Sequence, residues 1–485
     1  MIRRWAGRAH SAQPSTPDGS TTSSIGTLLI GRVIGMLLQF AAVVYAGKTI
    51  GPDGFGHLQV FLVLTLYLSL AGDLGLSIVG TRNAAMGVTH DLRPITIKRA
   101  WIGGALGITI VLMALVLPLS ATDRGIGLCL AAGVVGTPLN LRWYLQGRGG
   151  VGTIAAADVS GAIITITAVL LLVRGPESVV PAALAFLCGP LAGSLVTTVA
   201  SRHDLARSVA APRPDRSLMR QAIPLGIAVL ATQFYYGADS ILLTWFRSAA
   251  EVGWYGAAYR IVLACLALPF AAHAIAMPAL AALRTSSPER TEELLGTLTR
   301  GLLTIAVPLA VGGTITARVV MNLLFGGAFQ PAEAPFSLLI WSCVTVSANA
   351  PFAALMLASH RDRRYAAITI SGTVLNVVVN LVAIPAAGMY GAAVVTLATE
   401  VLVAGQILFA TRDVALRILS PIVPRLLAAT AIMALVVWPI RFSLLSIPVG
   451  VAVFIVGALL TGAIPIGDVR RLVDRVASSR SPEGD

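Results

Sequence analysis

The stretch GPDGFGHLQVFLVLTLYLSLAGDLGLSIVGTRNAA (51–85) holds one complete membrane crossing. It opens on a Gly- and Pro-rich turn without arginine and ends on a loop carrying Arg82. Between them runs an apolar segment of about 20 residues, the length a helix needs to cross a bilayer. The same unit recurs in both directions along the chain. Spans are predicted near 24–46, 57–79, 100–121, 125–140, 153–173, 179–200, 221–246, 252–283, 301–317, 334–358, 365–385, 390–410, 426–440 and 447–466. Of the 485 residues 56% are hydrophobic and 12% charged, the latter about half the share in a soluble domain. Mean hydropathy is +0.83. The expected fold is therefore an all-α polytopic membrane protein of about fourteen helices.

Basic residues orient the chain, because positively charged loops stay in the cytoplasm. The N-terminal tail, the even-numbered loops and the C-terminal tail hold 27 of the 35 Lys and Arg, among them Lys98, Arg99, Arg142, Arg202, Arg364 and Arg471. The odd-numbered loops hold six: Lys48, Arg124, Arg174, Arg247, Arg318 and Arg441. Both termini are then cytoplasmic. The remaining two, Arg32 and Arg260, fall inside spans. The net charge of +13 is scattered singly over short loops, so it argues against a nucleic-acid partner.

The expected organisation is a disordered tail (1–23), a six-helix bundle (24–200), a cytoplasmic linker (201–220), a second six-helix bundle (221–410), two additional helices (411–466) and a cytoplasmic tail (467–485). Short loops leave little mass outside the bilayer for a soluble catalytic domain, so no enzymatic activity is expected. Gly47-Lys48-Thr49 ends like a phosphate-binding loop, but the earlier glycine is Ala42. Cys129, Cys188, Cys265 and Cys343 sit in apolar stretches and read as small hydrophobes. No metal site or cofactor is expected. Pro269 and Pro278 suggest a kinked or broken helix within 252–283.

Ionisable groups inside a membrane cost roughly 2.5–3.5 kcal/mol each on insertion scales, so they mark candidate sites. There are six: Arg32, Asp73, Asp158, Asp239, Arg260 and Glu400. At about 1.5 Å per residue, Arg32 and Asp73 both fall roughly 10 Å from the cytoplasmic edge, and Asp239 and Arg260 share a depth near the opposite one. Each pair can be a structural ion pair or an anion site whose arginine is held by a carboxylate until substrate arrives. Arginine suits phosphate through its bidentate fork. Gln39, Gln233 and Tyr259, with Tyr235 and Tyr236, can form a sugar-contacting wall; interfacial anchoring is the alternative for the tyrosines. Glu400 is level with Asn376, and Asn380 follows one turn later. Asp239, Glu400 and Asn376 are thus candidates for proton or sodium coupling, although Glu400 and the asparagines equally suit interhelical contact.

Three turn segments echo one another: GPDGFGHLQV (51–60), AAEVGWYGAAYR (249–260) and GMYGAA (388–393). The first two lie at equivalent places in the two halves, as in transporters built from repeats. The segments YAGKTIGPDGFGHLQVF and GDLGLSIVGTRNAA (within 45–85), WYLQGRG (143–149), GADSILLTWFRSAAEVGWYGAAYRI (237–261) and LASHRDRRYAAITISGTVLNVVVNLVAIPAAGMYGAAVVTLATE (357–400) resemble the polysaccharide flippase family of the MOP superfamily, the O-antigen and exopolysaccharide unit transporters. The resemblance implies two six-helix bundles about a central cavity, plus two C-terminal helices. It implies a multi-pass protein of the bacterial cytoplasmic membrane. Its substrate would be an undecaprenyl-pyrophosphate-linked oligosaccharide, carried to the outer leaflet by alternating access for surface polysaccharide such as lipopolysaccharide. Membrane lipids, an H+ or Na+ gradient, and polymerase and glycosyltransferase partners come with it. By position it points to Arg32, Asp73, Asp239 and Arg260 as cavity residues. The few cavity charges favour a neutral sugar with a charged pyrophosphate head. Alternatives are a multidrug or lipid II exporter of the same superfamily and, from another class, a membrane polymerase or glycosyltransferase.

Overall fold

The computed structural model describes residues 19–88, 91–208, 216–283 and 287–464. The expected tails 1–23 and 467–485, apart from 19–23, lie outside these, as do residues 209–215 of the expected linker. Among the described residues the chain is helical, without strands. Its helices are α1 (Gly19–Asp73), α2 (Leu76–Ala85), α3 (Leu92–Val116), α4 (Ala121–Gly136), α5 (Arg142–Gly147), α6 (Val151–Leu172), α7 (Val179–Ala200), α8 (Arg202–Arg207) and α9 (Arg216–Phe246). They continue with α10 (Ala249–Leu283), α11 (Pro288–Ile315), α12 (Ala317–Leu324), α13 (Glu333–Leu339), α14 (Ser342–Ala358), α15 (Asp362–Ala410), α16 (Arg412–Val437) and α17 (Ser446–Leu460).

Among the described residues ten helical segments are long and apolar enough to cross a membrane, and two shorter apolar helices accompany them. The chain is a multi-pass membrane protein. Helices α6 and α7 are apolar around their whole circumference, as lipid on one side and protein on the other require; α6 carries one charge, Asp158, in 22 residues. Trp101, Val116, Val382, Leu435 and Leu460 are exposed, which suits a hydrocarbon solvent.

Two of the helical segments double back at glycine. Gly51 in α1 has φ 75° and Gly388 in α15 has φ 58°, a left-handed conformation that glycine adopts without steric cost. Pro52 follows the first elbow, where the new helix needs no amide donor from its first residue. The three echoing segments meet at these turns. A Cβ on Gly56 would collide with the Ala249 carbonyl, and one on Gly253 with the Pro52 carbonyl. The glycines therefore let the second half of α1 and the start of α10 approach backbone to backbone, the main source of close packing where no water is expelled. The Gly388 elbow is capped from the same region. The Glu251 carboxylate accepts from the Met389 amide at 2.7 Å, and Arg247 donates to the carbonyls of Ile384 at 3.1 Å and Pro385 at 2.7 Å. Each charge faces the helix end that its sign favours.

Two expectations change. Helix α3 begins at Leu92, not near 100, which moves Lys98 and Arg99 from a loop into a helix; Pro94 fits its first turn, where no intrahelical donor is lost. Helix α10 is continuous through Pro269 and Pro278, which removes the break from the expected kinked or broken helix.

The chain divides into two compact units. The first contains the described residues of 1–42, 68–171 and 184–229; one of its cores gathers Leu76, Val79, Leu92, Ile95, Trp143, Tyr144 and Leu218. The second contains 43–67, 172–183 and the described residues from 230 onward. Its large core includes Leu280, Leu303, Phe352, Met356, Ile407, Leu426 and Phe454.

Candidate functional site

In the second unit, α10 carries Tyr255, Tyr259 and Arg260 next to one another, and α9 brings Asp239 against them. The Asp239 carboxylate is buried. It accepts hydrogen bonds from the Tyr255 hydroxyl, from the Ser240 amide at 2.8 Å and from the Thr396 hydroxyl of α15 at 3.3 Å. Three donors on one carboxylate offset much of the cost of placing it in low dielectric. Tyr255 stacks on Tyr259, with ring centroids 6.0 Å apart and planes inclined by 10°.

Arg260 does not pair with Asp239, which corrects the expected ion pair. Its Nε donates instead to Oε1 of buried Gln59, at 3.1 Å. The reason lies in the helix turn: Tyr255 and Arg260 are five residues apart, so when Tyr255 faces Asp239 the guanidinium points along α10 toward the second half of α1. A neutral amide holds one edge of the guanidinium, and no carboxylate among the described residues quenches its charge. Gln233 meets the same neighbourhood through its backbone, its carbonyl accepting from the Tyr67 hydroxyl at 2.9 Å.

Helix α15 also carries the ion-coupling candidates. Glu400 is buried one turn beyond Thr396, and Asn376 and Asn380 are buried too. Nδ2 of Asn380 donates to Oδ1 of Asn376 at 3.1 Å, and Oδ1 of Asn380 is buried without a partner among the described residues. Among those residues no three His, Cys, Asp or Glu side chains come together as metal ligands.

The first unit holds the other candidates. Asp73 pairs with Arg99, Nε to Oδ1 2.8 Å, and also accepts from the Ser77 hydroxyl at 2.5 Å. The carboxylate assigned from depth to Arg32 is thus occupied by an arginine counted as a loop residue. Arg32 lies on α1, and its side chain falls outside the described residues, as do those of Tyr235 and Tyr236. Arg99 also donates to the carbonyls of Asn140 at 2.9 Å and Thr137 at 3.0 Å, bracing the break between α4 and α5. Asp158 pairs with Arg142, again a loop arginine in the count. Of the two carboxylates, Asp158 lines a cavity of about 340 Å³, together with Arg142, Gln39, Asn140 and Ser194.

Gln59, Tyr255, Thr396, Arg99 and Arg142 are the polar partners that sequence reasoning missed. Gln59 and Tyr255 both lie in the echoing turn segments, and a polar residue following so small a turn was the available signal.

Residues 22–283 match the family described as "Polysaccharide biosynthesis protein". The chain is 21% identical over 379 residues to the "Probable low-salt glycan biosynthesis flippase Agl15" of Haloferax volcanii, covering 76% of this chain and 79% of that one. Among solved structures, the inward closed conformation of the lipid II flippase MurJ superposes with a TM-score of 0.69 at 12% identity, over 90% of this chain and 98% of that one. An inward-facing multidrug resistance MATE family transporter of the MOP superfamily superposes with 0.62 at 14% identity, over 81% and 98%. The helical fold is the one these transporters share.

Proposed function

Because the chain belongs to the polysaccharide biosynthesis protein family, we propose that it is a flippase that moves an undecaprenyl-pyrophosphate-linked oligosaccharide across the bacterial cytoplasmic membrane. The observation that carries this reading is Arg260: a guanidinium within the apolar part of the chain, held by the neutral amide of Gln59 and not by a carboxylate. Its remaining N–H donors suit pyrophosphate oxygens, and the buried stack of Tyr255 on Tyr259 braces the turn of α10 that carries it. The head group thus binds to a charge that the protein leaves unneutralised, and the saccharide follows it.

In this reading the protein is a transporter without catalytic residues, working by alternating access from the inner to the outer leaflet, with both termini cytoplasmic. Asp239, hydrogen-bonded to α15 through Thr396, is the ion-coupling carboxylate, with Glu400 and Asn376 on the same helix; an H+ or Na+ gradient drives the cycle. Glycosyltransferases supply the substrate and a polymerase consumes it, for a surface polysaccharide such as O-antigen or exopolysaccharide. The likeness to the lipid II flippase MurJ supports a second reading, in which the cargo is lipid II. Deleting the gene tests both. Loss of a surface polysaccharide with accumulation of its lipid-linked unit supports the first; arrest of cell-wall synthesis supports the second, and altered drug susceptibility alone contradicts both.

A further inference from the structure

The cavity of the first unit lies among α1, α6 and α7 and has a volume of about 340 Å³, within the range of small-ligand pockets. Its polar groups carry no net charge. Arg142 and Asp158 face each other as an ion pair, so the wall is neutral overall while still offering donors on one side and acceptors on the other. Gln39 lines the cavity, and its amide has no partner among the described residues, leaving two N–H donors and an acceptor. The hydroxyls of Thr165 and Ser194 donate along their own helices, to the carbonyls of Gly161 at 3.0 Å and Pro190 at 2.7 Å. Each keeps a lone pair to accept with. Glycines 161, 189 and 193 remove side-chain bulk from the same wall.

These features select among ligands. An apolar chain would leave Gln39 and the hydroxyls unpaired. A phosphate would bring a second anion against Asp158. A neutral polyol donates to Asp158, accepts from Arg142, Gln39 and Asn140, and rests its C–H face on Met36 and Ile154. We propose that this cavity is a subsite for one or two neutral sugar rings of the transported saccharide, and that Asp158 excludes sugars bearing a carboxylate. The proposal rests on the flippase reading above for the origin of the sugar.

The test uses the full-length protein in nanodiscs, with cellobiose and cellobiouronic acid as probes and saturation-transfer NMR as the readout. Wild type binds the neutral disaccharide more tightly than the acidic one, by about three- to tenfold, the size set by a carboxylate that is 28% exposed. Asp158→Asn leaves Arg142 without its counter-charge and brings the acidic disaccharide level with or ahead of the neutral one. Gln39→Leu, which leaves no partner unsatisfied, weakens both disaccharides. Equal affinity for the two probes in wild type, or an unchanged ratio in Asp158→Asn, overturns the proposal, as does full affinity in Gln39→Leu. Binding of undecaprenyl pyrophosphate, measured in parallel, separates the two readings. Discrimination between the disaccharides without binding of the lipid leaves the subsite standing and removes the flippase reading; lipid binding without discrimination does the reverse.

Discussion

Replacing Arg99 by Met provides a stringent check on the structure of the first unit. The guanidinium and the Asp73 carboxylate are 6% and 15% exposed, and 2.8 Å separates them. Removing one partner of a buried pair costs about 3–5 kcal/mol, because the other charge remains without compensation. The carbonyls of Thr137 and Asn140 lose donors as well, at about 1–3 kcal/mol for each one that stays unsatisfied. The Arg142–Asp158 pair makes an internal control: its side chains are 41% and 28% exposed, and breaking such a pair costs about 0–1 kcal/mol. Thermal unfolding in nanodiscs, followed by tryptophan fluorescence, then orders the variants. Arg99→Met melts well below wild type, and Arg142→Met melts close to it. The double variant Arg99→Met/Asp73→Asn recovers part of the loss, since no buried charge is stranded, but not all of it: the Thr137 carbonyl still accepts from the Asn140 amide, while the Asn140 carbonyl has lost its donor. Arg99→Met as stable as Arg142→Met, or a double variant no better than the single one, would contradict a buried Arg99–Asp73 pair.

Gly388→Ala places a Cβ where the Glu251 carboxylate already sits, at a φ of 58°; a destabilisation of about 1–3 kcal/mol is expected, and unfolding identical to wild type would contradict the elbow. Gly149, with φ 72° but open space around it, loses less on the same change. Asp239→Asn keeps an acceptor for Tyr255 and Thr396 but removes the charge, so it folds, yet its transport no longer responds to an imposed H+ or Na+ gradient. An undiminished response removes Asp239 from the coupling assignment. A reporter fused after Arg364 is active in the cytoplasm; activity on the other side of the membrane overturns the orientation taken from the arginine distribution.

The turn segments were legible because their chemistry is local. Gly51 and Gly388 stand where left-handed backbone is needed, and the repeated Gly-aromatic pattern is the trace of backbones in contact: Gly56 on Ala249, Gly253 on Pro52. The helical class followed from hydropathy alone, since backbone polar groups in lipid leave few other options. The pairing of charges was not legible. Depth along a helix axis is linear in sequence, but the face a residue presents turns by about 100° per residue, so equal depth does not make two residues neighbours. Asp239 therefore meets Tyr255 and not Arg260. Arg99 and Arg142 have long side chains that reach Asp73 and Asp158, so two arginines assigned to topology also pair with carboxylates, Arg99 in the interior and Arg142 at the cavity wall.

The proposed head-group site centres on Arg260, whose guanidinium donates to Gln59 and pairs with no carboxylate among the described residues. Hydrogen bonds to charged groups are worth about 1.5–3 kcal/mol each, so its loss should weaken a pyrophosphate head group by about tenfold or more. The direct measurement is transport of an undecaprenyl-pyrophosphate-linked oligosaccharide by purified protein in proteoliposomes, comparing wild type, Arg260→Lys and Arg260→Ala at equal thermal stability. The account predicts that transport is abolished in the alanine variant and partly retained in the lysine variant. Full transport by Arg260→Ala would contradict it.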